Sequence, residues 1–127
     1  MNQKTILIVE DEKDIREALR DMLADKGYRV LEAGNGREGA ASALAEHPDL
    51  ILLDLLMPEV DGMTALGQIR EDSWGKGASV MILTNVNASS EQVVKDIVTH
   101  KPLEYLIKSD WKIADVLRKV ERVLAGK

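Results

Sequence analysis

The chain of 127 residues contains no cysteine and no phenylalanine, only two histidines and only three prolines. Without cysteine there is neither a disulfide framework nor thiolate ligation of a metal. Two histidines leave few options for a transition metal, and a hard metal held by carboxylates stays open. Long hydrophobic runs are also missing. The first apolar run, residues 6–9, is far too short for a signal peptide, and none approaches the roughly 18–20 residues of a membrane span. Positive charge is in deficit: the formal net charge is −5. That argues against a module that binds nucleic acid directly, since such a module carries a basic face. What is present is enough for one ordinary domain: 45% hydrophobic residues to build a core and 31% charged residues to solvate it. The default expectation is a soluble, cytoplasmic protein of a single domain, residues 1–127.

Short apolar runs alternate with amphipathic stretches. Thr5-Ile6-Leu7-Ile8-Val9 reads as a strand buried on both faces. Ile15, Ala18, Leu19, Met22 and Leu23 follow at helical spacing, and Gly27 is placed to end that helix. Residues 28–33 make a second, less apolar strand. Gly34-Asn35-Gly36 is a turn. An alanine-rich helix over 37–47 is closed by Pro48. Residues 49–54 are a third strand, and a turn at Asp61-Gly62 leads to a helix over 63–71. Trp74-Gly75-Lys76-Gly77 reads as a loop. Strand 79–84 is followed by a helix capped by Ser89 or Ser90 and running to about His100. Strand 103–107 and a helix from Asp110 to about Leu124 close the chain. Five alternations of strand and helix predict a parallel sheet with helices on both faces. No internal repeat, low-complexity tract or linker interrupts them.

Asp54 stands out. It ends the apolar run Leu50-Ile51-Leu52-Leu53, and an unpaired, dry carboxylate there would cost about 2–7 kcal/mol. It therefore faces water at a strand tip or serves a charged site. In open sheets of this type, ligands bind at the carboxyl ends of the strands, at a switch point in strand order. Glu10-Asp11, Asp54, Thr84 and Lys108 all fall at such ends. Each has a bland reading: a solvated acidic loop, a strand end, a β-branched strand residue, a surface lysine. Their joint placement, on four different strands, is much harder to obtain by chance. Three carboxylates around one crevice repel unless a cation joins them. Mg²⁺ suits them, being hard, octahedral and satisfied by one or two direct carboxylates. A metal, an ammonium and a hydroxyl around a carboxylate are the requirements for phosphoryl transfer onto that carboxylate.

In these residues the chain resembles the receiver domain of bacterial two-component response regulators. The similarity runs from Lys4 to about Leu124. It is strongest in Ile8-Val9-Glu10-Asp11-Glu12 and in Asp54-Leu55-Leu56-Met57-Pro58-Glu59-Val60-Asp61-Gly62, with Ile82-Leu83-Thr84 and Tyr105-Leu106-Ile107-Lys108 in the family's order. The resemblance implies a doubly wound α/β fold of flavodoxin or CheY type, with a five-stranded parallel sheet in the order 2-1-3-4-5 flanked by five helices. It implies Asp54 as phosphoacceptor, and Asp11, Asp54 and the Leu56 carbonyl as Mg²⁺ ligands, with Glu10 reaching the metal through water. It implies Thr84 as switch hydroxyl, Lys108 as the lysine on the phosphoryl group and Tyr105 as the aromatic that turns inward. A sensor histidine kinase or phosphotransfer protein would be the donor and a downstream protein would read the output face. The chain would act as a switch rather than a conventional enzyme, as a monomer or weak dimer, with no membrane role and no output domain.

The departures from the family pattern are also informative. Ser109 follows Lys108 where proline, often with a cis bond, is usual. A cis bond there would cost roughly 2.5–4 kcal/mol. Asn85 replaces a small residue. Leu56 and Val86 put apolar side chains where the family's hydrolytic water passes, which points to a long-lived phospho form. Trp111, just inside the last helix, is either packed on apolar neighbours or an interface anchor. Three other readings exist, one of them a receiver cut from a hybrid kinase or larger regulator. A haloacid-dehalogenase-type phosphatase normally has a second Asp two residues after its nucleophile, and Leu56 stands there. A pseudo-receiver that keeps the fold without phosphorylation would not need the full acidic and lysine set.

Overall fold

The computed structural model of the chain describes residues 3–54, 62–84, 104–107 and 113–125; for Gly62, Met63, Thr84, residues 104–107 and Ile113 it describes the main chain alone. The strands are β1 (Thr5–Val9), β2 (Arg29–Ala33), β3 (Leu50–Asp54), β4 (Val80–Thr84) and β5 (Glu104–Ile107). They form one sheet in the order β2-β1-β3-β4-β5, and every pair is parallel. The described helices are α1 (Lys13–Asp25), α2 (Gly36–Glu46), α3 (Gly62–Glu71) and α4 (Ile113–Ala125), with one 3-10 turn at Gly75–Gly77. The helix expected at about 90–100 lies outside the described residues. None of the described helices is long and apolar enough to cross a membrane.

Period-two geometry sends successive strand side chains to opposite faces. Leu7, Val9, Ile51, Leu53, Val80 and Ile82 pack with Ala40 and Ala43 of α2 and Ala65, Leu66 and Ile69 of α3. Ile6, Ile8, Leu50, Leu52, Met81 and Leu83 pack with Leu19 and Leu23 of α1 and Val116, Val120 and Leu124 of α4. The sheet therefore separates two cores. Its central strands are apolar throughout residues 6–9, 50–53 and 80–83 because each face has a helical layer to meet.

Local sequence sets the element ends. Gly27 stops α1, as its position predicts. Its φ is +94°, and the amides of Gly27 and Tyr28 donate to the carbonyls of Ala24 and Leu23 at 3.0 and 3.3 Å. These two bonds form a Schellman motif, with Tyr28 packed over the core that holds Leu23. Asn35 caps α2 by accepting from the Glu38 amide at 2.9 Å. Helix α2 ends one residue earlier than its pattern suggests, because His47 adopts the left-handed conformation (φ 48°). The His47 ring stacks on Trp74, with centroids 4.4 Å apart.

The segment expected to be a loop at 74–77 contains a helical turn, and the cause is polar. The Asp72 carboxylate accepts from the amides of Trp74 and Gly75 at 2.9 and 3.2 Å. Arg70 donates to the carbonyls of Gly75 and Ala78 at 2.8 and 2.7 Å. The turn is thereby wound tightly against the end of α3. Close approach also governs α2: a Cβ on Gly39 would stand 2.6 Å from Val9 Cγ1. That glycine lets α2 lie directly on the end of β1, beside the first residue of the acidic cluster.

Candidate functional site

From β1 the chain crosses to β2 on one side of the sheet, and β3 lies on the other. The connections that leave the carboxyl ends of β1 and β3 therefore diverge, and a crevice opens between them. Both ends carry acids. Glu10 follows Val9 directly, and Val9 is paired with Leu53, the residue before Asp54. Glu10, Asp11 and Asp54 each place a carboxylate oxygen so that all three atoms lie within 4.8 Å of one another. Glu10 is 1% exposed and Asp54 is 3% exposed, so two of the three carboxylates sit out of bulk water.

Glu10 is anchored through its main chain and its side chain. Its amide donates to the Ala33 carbonyl of β2 at 3.0 Å. Its carbonyl accepts from Arg16 Nη1 at 2.9 Å. Its Oε2 accepts from the Glu12 amide at 3.1 Å, which bends the carboxylate over the β1–α1 turn. Arg16 is in turn held by Glu32 of β2, Nε to Oε1 at 3.3 Å. Arg20, one turn along α1, reaches the other oxygen of Glu32 at 3.3 Å. Arg20 also bonds Asp21 at 2.9 Å, and these two hydrogen bonds hold its guanidinium above its ordinary pKa.

The donor set is three hard carboxylate oxygens with no nitrogen or sulfur among them. Its chemistry fits a hard divalent cation of Mg²⁺ type better than a transition metal. The spacing is short enough for one ion to contact more than one carboxylate, and partial burial strengthens its attraction to all three.

The remaining residues singled out in the sequence are described less fully. Thr84 ends β4, next to β3 in the sheet, where Leu83 pairs with Asp54. Tyr105 lies in β5, paired with Ile82. These placements concern the main chain. Leu56, Asn85, Val86, Lys108, the Lys108–Ser109 bond and Trp111 lie outside the described residues. The structure therefore brings together Glu10, Asp11 and Asp54, and puts Thr84 at the same end of the neighbouring strand.

Sequence reading missed Arg16 and Glu32. The available signal was an arginine in the first turn of a helix that follows two acids, with a glutamate near the end of the neighbouring strand.

Comparison with known proteins agrees with this geometry. The family model of the response regulator receiver domain matches residues 6–121, and the chain belongs to that family. PilH of Pseudomonas aeruginosa strain PAO1 is 32% identical over 95% of this chain and 98% of its own length. A probable transcriptional regulator, ycf27 of Porphyridium aerugineum, is 31% identical over 96% of this chain. The chain spans only 51% of that relative, and 37% each of response regulator MprA of Mycolicibacterium vanbaalenii and transcriptional regulatory protein ResD of Bacillus subtilis. Among solved structures, the receiver domain of sensor histidine kinase PA1611 from Pseudomonas aeruginosa PAO1 superposes with a TM-score of 0.84. It shares 27% identity, with 98% of this chain and 99% of that one covered, and it was crystallised with magnesium coordinated in its active-site cleft. The chain is thus a CheY-like receiver domain of two-component signalling, and receiver domains as a class are signalling switches rather than conventional enzymes.

Proposed function

We propose that the chain is a phosphorylation switch that accepts a phosphoryl group on Asp54 from a sensor histidine kinase or phosphotransfer protein. The observation that carries this reading is the buried Asp54 carboxylate beside those of Glu10 and Asp11, at the switch point of the sheet. The magnesium in the cleft of the PA1611 receiver supports the same assignment.

In this reading Asp11, Asp54 and the Leu56 carbonyl hold Mg²⁺, with Glu10 acting through water. When bound, the ion neutralises charge on the equatorial oxygens of the phosphoryl group. An Asp54 oxygen attacks phosphorus in line with the donor's P–N bond. That bond breaks, and its electron pair returns to the donor imidazole. Lys108 counters the charge of the transferred group, and the Thr84 hydroxyl donates to it. The group adds about −1.5 to −2 charges at the strand ends. Thr84 moves toward it and Tyr105 turns into the space released. A downstream protein reads the altered face formed by β5, α4 and the segment between β4 and β5. We assign the chain to the cytoplasm, as a receiver domain acting as a monomer or weak dimer without direct contact with nucleic acid.

The test is incubation with Mg²⁺ and acetyl phosphate or phosphoramidate, followed by intact mass. Gain of one phosphoryl group in the wild type, and none in Asp54→Asn, is the expected result. No gain in the wild type defeats the proposal.

A further inference from the structure

We infer that Arg16 is a positioning residue for the acidic pocket: its guanidinium ties the main-chain carbonyl of Glu10 to Glu32 of β2 and fixes the turn that delivers Glu10 and Asp11. The inference rests on the metal-binding reading of that pocket and extends it to a residue that touches neither metal nor phosphoryl group.

An exposed Arg–Glu pair is ordinarily worth little, so the ion pair alone would carry nothing. The other end of the fork is what matters. Arg16 Nη1 donates to the carbonyl of Glu10 itself at 2.9 Å, while Nε meets Glu32 at 3.3 Å. Only 20% of the side chain is exposed. The Gly34 turn passes close by, so that a Cβ there would stand 3.6 Å from Nη1. The guanidinium is therefore confined between the end of β1, the end of β2 and the β2–α2 turn. Arg20 grips the second oxygen of Glu32 at 3.3 Å, which leaves Glu32 little freedom to release Arg16. The main-chain carbonyl it holds lies between the two pocket acids in sequence. A shift at this carbonyl would move both carboxylates relative to Asp54.

Two effects oppose each other when the fork is removed. A cation near the pocket repels a second cation, so its loss favours metal. Its loss also frees the turn, and Mg²⁺ demands near-ideal octahedral geometry. Glu32 already balances the charge of Arg16, so the positional effect should win.

The test is calorimetric titration of Mg²⁺ at fixed ionic strength. Arg16→Met keeps the aliphatic stem and its packing while deleting the fork. It should weaken Mg²⁺ roughly tenfold, as loss of a residue that orients metal ligands typically does. Arg16→Lys, with a single donor group, should recover part of the loss. Glu32→Gln should weaken binding less, and adding it to Arg16→Met should cause no further loss. Thermal midpoints without Mg²⁺ separate this from a general structural role. A lower midpoint in Arg16→Met with unchanged Mg²⁺ affinity overturns the inference, as does tighter binding. If Arg16→Met does not fold, Arg16→Lys and Glu32→Gln decide by the same criterion. Mg²⁺ binding that is lost in Asp11→Ala but kept in the Arg16 variants defeats this inference alone. Absence of Mg²⁺ binding in the wild type defeats the metal reading as well.

Discussion

Gly75 and Gly77 bracket the 3-10 turn after α3, and the structure assigns them opposite tolerances. A Cβ on Gly75 would lie 1.7 Å from the Ile69 carbonyl oxygen and 2.6 Å from its carbon. Both atoms are main chain at the end of α3, so no rotamer change relieves the overlap. The turn must open. Opening releases the bonds from Arg70 to the Gly75 carbonyl and from the Gly75 amide to Asp72. Hydrogen bonds to charged groups contribute about 1.5–3 kcal/mol each. Replacing glycine also restricts the unfolded chain, which returns about 0.4–1 kcal/mol. Water recovers part of the lost bonding, so Gly75→Ala should destabilise by about 2–5 kcal/mol. A Cβ on Gly77 meets nothing within 4 Å, so Gly77→Ala should be neutral or stabilising by up to about 1 kcal/mol. The assay is urea unfolding followed by far-UV circular dichroism, with Gly77→Ala as the matched control. If Gly75→Ala lies within about 0.5 kcal/mol of the wild type, a surface-like value, the close-approach argument is wrong.

Three further outcomes are expected. Asp11→Ala should lower Mg²⁺ affinity and prevent phosphorylation while circular dichroism shows an unchanged fold; wild-type Mg²⁺ affinity in the variant would remove Asp11 from the ligand set. On the family resemblance, which puts Leu56, Asn85 and Val86 along the route of the hydrolytic water, the phospho form should decay slowly, because an apolar side chain cannot orient water and a bulky one narrows its access. Leu56→Asn or Val86→Glu should shorten its lifetime, each tenfold change corresponding to about 1.4 kcal/mol in the barrier. Failure of both changes to accelerate decay refutes the water-exclusion argument. Burial, aided by the charge of Glu121, pushes the Tyr28 phenol above its ordinary 10.0. The unfolded chain then loses that proton first, so stability should fall as pH rises above about 10 and level off past the folded value. Tyr28→Phe should remove that component of the slope, measured by urea unfolding across alkaline pH.

Much of this architecture was legible because its local signals agree. The uninterrupted apolar runs of β1 and β3 mark strands covered on both faces, and the glycine at 27 marks a helix stop that the φ of +94° bears out. The acidic pair after β1 and the acid ending β3 were legible as a cluster, since alternating topology sends both to one end of the sheet. Strand order was not legible from periodicity, which says that strands exist but not which are neighbours; it came with the family resemblance. The turn at 75–77 reads as a loop in sequence because its winding depends on Asp72 and Arg70 side chains, which propensity does not weigh. Arg16 was missed for a similar reason. Its partner is a backbone carbonyl, and a carbonyl leaves no trace in the sequence.

The two cores on either side of β3 make that strand ambiguous to hydrophobicity alone. Residues 50–53 alternate between the cores, yet all four are leucine or isoleucine and all are fully buried. Sliding β3 by one residue would exchange the faces, and three of the four buried sites would still hold leucine or isoleucine. The fourth would receive Asp49 or Asp54, a dry carboxylate that costs about 2–7 kcal/mol, and Asp54 would leave its place beside Glu10 and Asp11. The apolar residues therefore keep the strand inside the sheet but say little about its frame. The frame is marked by the polar residues at its ends: Asp54 at one, and at the other Asp49, whose carboxylate accepts from the Thr5 amide at 2.7 Å. A deletion within 50–53 draws Asp49 or Asp54 into a site that leucine now fills, so it should lower stability by the cost of a dry carboxylate, about 2–7 kcal/mol, as well as break the acidic cluster.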